Sequence, residues 1–295
     1  MGRIRARWSL AIAAAVAAAP AIVLGSGLSA QAASAAPVGA HRPAGSVRCT
    51  AAGRQAITVV LVNGAWANTA SWSGEISELQ HDGCAVRAVE NPVEDLTTDA
   101  EEVAAFVRTI PGPVLLVGHS YGGAVITNAA AEVDNVVGLV YVDAAAPAVG
   151  EPLSALDGST SVIATKPASE LFEQVPGTPD GSTDLLLTKK AFLDYFGSDL
   201  SRSKATQLWA SQTLASTQAL NTPSKYAAWQ TIPSWYFIST GDQIITPQIE
   251  LEMAHRAHSH VTMFQGGSHL TLISHPAAVT AEIGQALSTL LTDQN

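Results

Sequence analysis

Val114-Leu-Leu-Val-Gly-His-Ser-Tyr-Gly-Gly123 is the stretch on which the reading of the fold turns. It begins as an apolar run, breaks at Gly118-His119-Ser120-Tyr121-Gly122, and leads into Ala124 to Val133, which can continue as a helix. That is strand, sharp turn, helix. A serine at the tip of such a turn has a strained backbone, and glycines beside it let strand and helix approach closely. Its hydroxyl then stands clear of the sheet, with a positive helix end behind it to stabilise charge building on a reacting carbonyl oxygen. Ser120 is the candidate nucleophile.

Working outward, Ile57 to Val62 is a continuous apolar strand ending in Asn63-Gly64-Ala65-Trp66. Ser71 to His81 reads as helix, Cys84 to Val89 as strand, and Thr97 to Ile110 as a helix with Asp99, Glu101 and Glu102 in its first turns. After the serine turn, Val136 to Val142 is a further buried strand ending at Asp143. The sheet resumes at Trp235 to Ser239, followed by Gly241-Asp242, a helix from Pro247 to His258, a strand from His260 to Phe264, Gly266-Gly267-Ser268-His269 and a closing helix from Pro276 to Leu291. Strands alternating with helices predict an α/β fold, a mostly parallel twisted sheet with helices on both faces. The rhythm fails between Pro147 and Pro233. Turn signals at Asp157-Gly158, Pro176-Gly177 and Pro179-Asp180-Gly181, with helical stretches around Leu185 to Phe196 and Ser203 to Ala219, predict an inserted helical cap over residues 147–233. Its aromatics, Phe192, Tyr195, Phe196, Trp209, Tyr226 and Trp229, are what the roof of an apolar pocket needs, although any one of them can simply pack the cap onto the core.

The chain start is different in kind. Arg3, Arg5 and Arg7 precede an apolar run from Leu10 to Leu24, then small residues with A-x-A sites at Ala30-Gln31-Ala32 and Ala33-Ser34-Ala35. This predicts a secretory signal peptide over 1–32, a linker over 33–48 and a folded domain over 49–295. An uncleaved membrane anchor is the competing reading, weakened by Pro20 and Gly25. Removing the three arginines from a chain whose net charge is already −10 leaves nucleic acid an improbable partner. The two cysteines, Cys49 and Cys84, are expected to pair in an oxidising compartment, the alternative being two buried thiols. At 47% hydrophobic the chain has ample material for one buried core.

A serine hydroxyl needs a base to take its proton, and the base needs a carboxylate to hold its tautomer. In this topology both come from loops at the carboxyl ends of later strands, which converge beside the serine turn. His269 and Asp242 meet that demand. Asp143, after the strand that follows the nucleophile, is the alternative acid. His119 lies inside the turn and is expected to point elsewhere. The oxyanion hole would take the backbone N–H of Tyr121 and, from the loop after the first strand, that of Ala65. No cofactor or metal is implied; His255, His258 and His260 lack a matched carboxylate or cysteine pattern.

From Ile57 to Leu291 the chain resembles the α/β-hydrolase superfamily. V-L-V-N-G-A-W at Val60 to Trp66, G-H-S-Y-G-G at Gly118 to Gly123 and W-Y-F-I-S-T-G-D-Q-I-I-T-P at Trp235 to Pro247 look like a group of bacterial exported hydrolases related to plant methyl-ester esterases and hydroxynitrile lyases. The resemblance implies a Ser120, His269, Asp242 triad and a helical lid over an apolar pocket. The family usually has His-Gly where this chain has Asn63-Gly64, which affects loop packing beside the oxyanion hole. Lyases of the group place a threonine before the oxyanion donor and a lysine after the catalytic histidine; Gly64 and Leu270 stand there instead, which favours hydrolysis. The expected function is therefore a secreted serine esterase acting on small to medium apolar carboxylic esters through an acyl-enzyme. Trp66, Phe192, Tyr195, Trp209, Trp229 and Leu270 are the candidate pocket residues. The rival readings are a non-catalytic protein that captures an apolar ligand, and amidase, lactonase or perhydrolase chemistry on the same residues. No stable membrane association is expected after signal cleavage, and the polar run Ser198 to Lys204 in the cap argues against a lipase acting at lipid interfaces.

Overall fold

The computed structural model describes residues 47–292 except 52, 54 and 177–181. The expected signal peptide, and the linker up to residue 46, lie outside the described residues. Val47, the first described residue, is buried.

Helices and strands alternate as β1 (Thr58–Val62), α1 (Ser73–His81), β2 (Val86–Val89), α2 (Leu96–Arg108), β3 (Val114–His119), α3 (Tyr121–Ala129) and β4 (Val136–Val142). β1, β3 and β4 are apolar almost throughout and essentially inaccessible to water, because helices cover both faces of the sheet. Each fully buried Val or Leu there contributes roughly 1.5–3 kcal/mol. α2 starts where the Asp95 side chain accepts the N–H groups of Thr97 and Thr98, relieving donors that the helix leaves unpaired.

The chain then leaves the sheet. The cap contains α4 (Val162–Thr165), α5 (Ala168–Leu171), β5 (Phe172–Pro176), β6 (Thr183–Leu187), α6 (Lys189–Ala191), a π-turn at Phe192–Phe196, α7 (Arg202–Ala210), β7 (Ala215–Ser216) and α8 (Thr217–Asn221). β5, β6 and β7 form an antiparallel sheet of their own. The expected helical cap is thus corrected to a mixed one, with a sheet beside its helices, and the helix predicted around Leu185 begins as strand. Its leucines read as helix formers, but pairing with Phe172–Pro176 on one side and Ala215–Ser216 on the other decides the conformation. Trp229 donates its indole N–H to the carbonyl of Pro147 at 2.8 Å, joining the two ends of the insertion.

The chain returns with β8 (Ser234–Ser239), α9 (Pro247–Arg256), β9 (His260–Phe264), α10 (Thr271–Ser274) and α11 (Pro276–Thr292). The main sheet has the order β2-β1-β3-β4-β8-β9, with every neighbouring pair parallel. All six carboxyl ends therefore point to one side, where the functional loops gather. Cys49 and Cys84 form a disulfide, tying the segment before β1 to the segment that leads into β2. Among the described residues no helix is long and apolar enough to cross a membrane.

Candidate active site

Ser120 caps the step from β3 to α3 with φ 55° and ψ −124°, a left-handed conformation that costs an L-residue about 1–3 kcal/mol. The neighbouring glycines make room for it. A Cβ on Gly118 would sit 2.5 Å from the carbonyl oxygen of Gly122, and one on Gly122 would sit 2.5 Å from that of Val62. Neither site can carry a side chain without opening the turn.

His269, in the loop after β9, places Nε2 2.8 Å from the Ser120 hydroxyl and Nδ1 2.6 Å from Oδ2 of Asp242. The other oxygen of Asp242 accepts the N–H of Ile244 at 2.7 Å and of Ile245 at 3.3 Å. The three side chains form one hydrogen-bonded line. Burial pushes His269 down, to about 3, so the ring is neutral and can accept the serine proton. Burial raises the Asp242 carboxyl, while the two N–H groups pull it back.

Asp143 is not the partner of His269. Its carboxyl takes the backbone N–H of Ser239 at 2.7 Å and lies 3.0 Å from the Ser239 hydroxyl. That hydroxyl is 2.7 Å from the hydroxyl of Thr271, whose own proton goes to the carbonyl of Ser268 at 2.6 Å. A carbonyl can only accept, so Ser239 must donate to Thr271, and the proton that joins Asp143 to Ser239 belongs to Asp143. Burial and the nearby charge of Asp242 raise its carboxyl in the same sense. Carboxyl oxygens of Asp143, Asp242 and Glu250 lie within 4.8 Å of one another, the one acidic group among the described residues close enough to hold an ion. Shared protons are the other way to keep such a cluster, and all three groups are raised by burial.

His119 corrects its expectation. It does not point away from the site. Its Nε2 donates to the backbone carbonyl of His269 at 2.7 Å, and the two rings are 4.9 Å apart. Burial, then the neighbouring His269, lowers it to about 3, so it stays neutral with the proton on Nε2. The Ser198 to Lys204 run also has a part that sequence did not disclose: Asp199 accepts the hydroxyls of Ser268 and Ser274, fastening the cap to the His269 loop.

The loop after β1 is held by Asn63. Its side-chain Nδ2 lies 3.2 Å from the carbonyls of both Gly64 and Ala67, and its backbone carbonyl accepts Asn91 Nδ2 at 3.0 Å. With the Gly64 carbonyl turned toward Asn63, the N–H of Ala65 in the same peptide unit faces the other way. Ala65 and Ser120 line one cavity of about 140 Å³, and the Ala65 N–H meets no acceptor among the described residues. Tyr121 N–H, at the first position of α3, is an unpaired helix-end donor. The Tyr121 hydroxyl is committed elsewhere, donating to Asp99 at 2.7 Å.

Walls of the serine cavity come from Trp66, Leu153, Phe172, Leu185, Ile244 and Ile245. Of the expected pocket residues, Trp66 lines it. Trp66, Phe192 and Leu270 line a second cavity of about 200 Å³, so Trp66 borders both. Trp66 has φ 58°, and its ring is fixed by the indole N–H donated to the carbonyl of Leu185 at 2.9 Å. Tyr195, Trp209 and Trp229 line neither. Trp209 donates to the carbonyl of Leu187 at 3.2 Å beneath Lys189, and Trp229 packs under Arg256 at the base of the cap. Phe196, 5.0 Å from the His269 ring, is the cap aromatic nearest the base. The aliphatic wall residues were missed because nothing in an isolated Leu or Ile distinguishes a cavity wall from core.

Residues 59–283 match the alpha/beta hydrolase family. An alpha/beta hydrolase named nvfD, from Aspergillus novofumigatus, is 29% identical over 251 residues, covering 77% of this chain and 95% of the relative. Among solved structures, an extracellular alpha/beta-hydrolase from Paenibacillus, described as homologous to a tobacco salicylic acid binding protein, superposes with TM-score 0.64 at 21% identity over 78% of this chain and 98% of the other. A methylesterase from Arabidopsis gives TM-score 0.64 at 19% identity over 79% and 99%.

Proposed function

Because the chain belongs to the alpha/beta hydrolase family, we propose that it is an exported serine esterase that cleaves small to medium apolar carboxylic esters through an acyl-enzyme. The observation that carries this is the hydrogen-bonded line Ser120–His269–Asp242 opening at Ser120 into a cavity walled by aliphatic side chains. In the proposed reaction His269 Nε2 takes the Ser120 proton as the serine oxygen bonds to the ester carbon. Asp242 stabilises the imidazolium, and the N–H groups of Ala65 and Tyr121 hold the oxyanion. Collapse breaks the bond to the alcohol, which leaves with the proton from His269. Water then repeats the sequence on the acyl-serine, releasing the acid.

The methylesterase likeness supports esters as substrates, and Leu270 directly after His269 leaves no lysine there for cyanide. Export is supported by the Cys49–Cys84 disulfide and by the likeness to the Paenibacillus protein, which is described as extracellular. The test uses p-nitrophenyl acetate, butyrate and octanoate, with a serine-directed phosphonate located by mass spectrometry. Turnover abolished by label on Ser120, and absent from Ser120→Ala, is the expected result. Folded protein with neither label nor turnover would move the reading to ligand capture without chemistry.

A further inference from the structure

Asp157 stands out in the wall of the serine cavity. It is half-buried among Leu153, Ile163, Ile244 and Ile245, and its carboxyl has no hydrogen-bond or ion partner among the described residues. The other polar side chains of that wall are occupied. Ser154 donates to Asn221 Oδ1 at 2.9 Å, Asn221 donates to the Thr217 carbonyl at 2.7 Å, and Thr217 accepts the Thr183 N–H at 3.2 Å. Nor is Asp157 occupied in shaping its own turn. The turn to Gly158 is held by backbone, with the Asp157 carbonyl accepting Thr246 N–H and the Gly158 carbonyl accepting Ser161 N–H. A carboxyl half-withdrawn from water in an apolar wall loses part of its hydration, and a ligand's donor would replace what is lost.

We propose that the cavity beside Ser120 selects esters whose buried half ends in a hydrogen-bond donor, a hydroxyl or an ammonium group, and that Asp157 receives it. The inference rests on the esterase reading for its substrates and deepens it. Burial, then the charge of Asp242, pushes the Asp157 carboxyl up to about 7, so near neutrality both its forms are present and each can accept from a donor. Of the helices at this turn, α4 and α8 carry no titratable side chain and α9, which packs on Gly158 through Ile249, carries Glu250, Glu252, His255 and Arg256; the one charge that acts on Asp157 is that of Asp242, of the same sign.

The test compares methyl hexanoate, methyl 6-hydroxyhexanoate and methyl 6-aminohexanoate, and butyl acetate with 4-hydroxybutyl acetate, by acid release in a pH-stat. The two series put the donor on the acyl or on the alcohol half. In at least one of them the donor-bearing ester is expected to exceed its plain twin in kcat/KM by about tenfold, and Asp157→Leu should invert that ratio. Asp157→Asn should keep a preference for hydroxyl and lose one for ammonium. Calorimetric binding of the same esters to Ser120→Ala, with and without Asp157→Leu, reads the preference without turnover. Equal affinity for plain and donor-bearing esters overturns the inference even if wild type hydrolyses both. A donor preference in binding that Asp157→Leu removes, with no turnover by wild type, would uphold Asp157 and sink the esterase reading.

Discussion

Strand β4 and cap strand β6 are both short and largely apolar, yet one is plain in the sequence and the other is not. β4 is Val-Val-Gly-Leu-Val-Tyr-Val, β-branched, buried along its length and delimited as expected at Val136 and Val142. β6 is Thr-Asp-Leu-Leu-Leu, a composition equally at home in a helix, and it is strand because β5 and β7 pair with it. The core is specified by local pattern, while the cap is specified by which segments meet. The site is divided in the same way: Ser120, His269 and Asp242 all sit on loops of the parallel sheet, while the cavity wall is shared between those loops, through Trp66, Ile244 and Ile245, and the cap, through Leu153, Phe172 and Leu185.

The sharpest way to break that division is at the two acids of the core. Asp242→Asn should lower kcat by about 10⁴, because the amide no longer fixes the His269 tautomer. Asp143→Asn should stay within about tenfold, since an amide can take the Ser239 N–H and donate to the Ser239 hydroxyl as the protonated acid does. Steady-state kinetics on p-nitrophenyl butyrate decides. Comparable losses would mean that Asp143 acts as a charge.

A smaller effect concerns the core alone. Glu75 in α1 is fully buried with both carboxyl oxygens unpartnered, and burial foremost pushes it up to about 9 from 4.5. The folded chain therefore holds a proton that the unfolded chain releases above 4.5. Its contribution is fully present below that pH and drains away as pH rises toward 9, by about 1.4 kcal/mol per unit. Glu75→Gln has no proton to lose, so its stability relative to wild type should climb from about pH 5 to about pH 8 in denaturant titrations. A flat difference would show Glu75 is not neutral in the fold.

The smallest effect belongs to the cap. Phe172→Ala enlarges the serine cavity and removes a ring stacked 5.7 Å from Trp66. It should shift preference from butyrate toward octanoate by about tenfold, through KM more than kcat. A kcat loss on the scale of Asp242→Asn would erase the distinction between core and cap.

Most of the core and the whole Ser120, His269, Asp242 arrangement were legible because strand ends, glycines and turn residues carry local signals. β9 matches its expected limits at His260 and Phe264, and α11 differs by one residue at its end. What escaped were contacts between distant segments. His119 meets the His269 carbonyl across 150 residues, and Asp199 reaches Ser268 from the cap. Tyr195, Trp209 and Trp229 failed as cavity residues because an aromatic ring satisfies packing and lining equally well in a string of letters.

The loop from Asn63 to Ala65 has a practical consequence for anyone mapping the site. An alanine scan cuts side chains back to a methyl, which is all that Ala65 has, while Tyr121→Ala would lose the phenol that meets Asp99 and keep the N–H. The two proposed donors pass through such a scan unseen. Proline is the only genetically encoded substitution that removes a main-chain N–H, so Ala65→Pro would address a group that is recorded in the path of the chain and in none of its side chains.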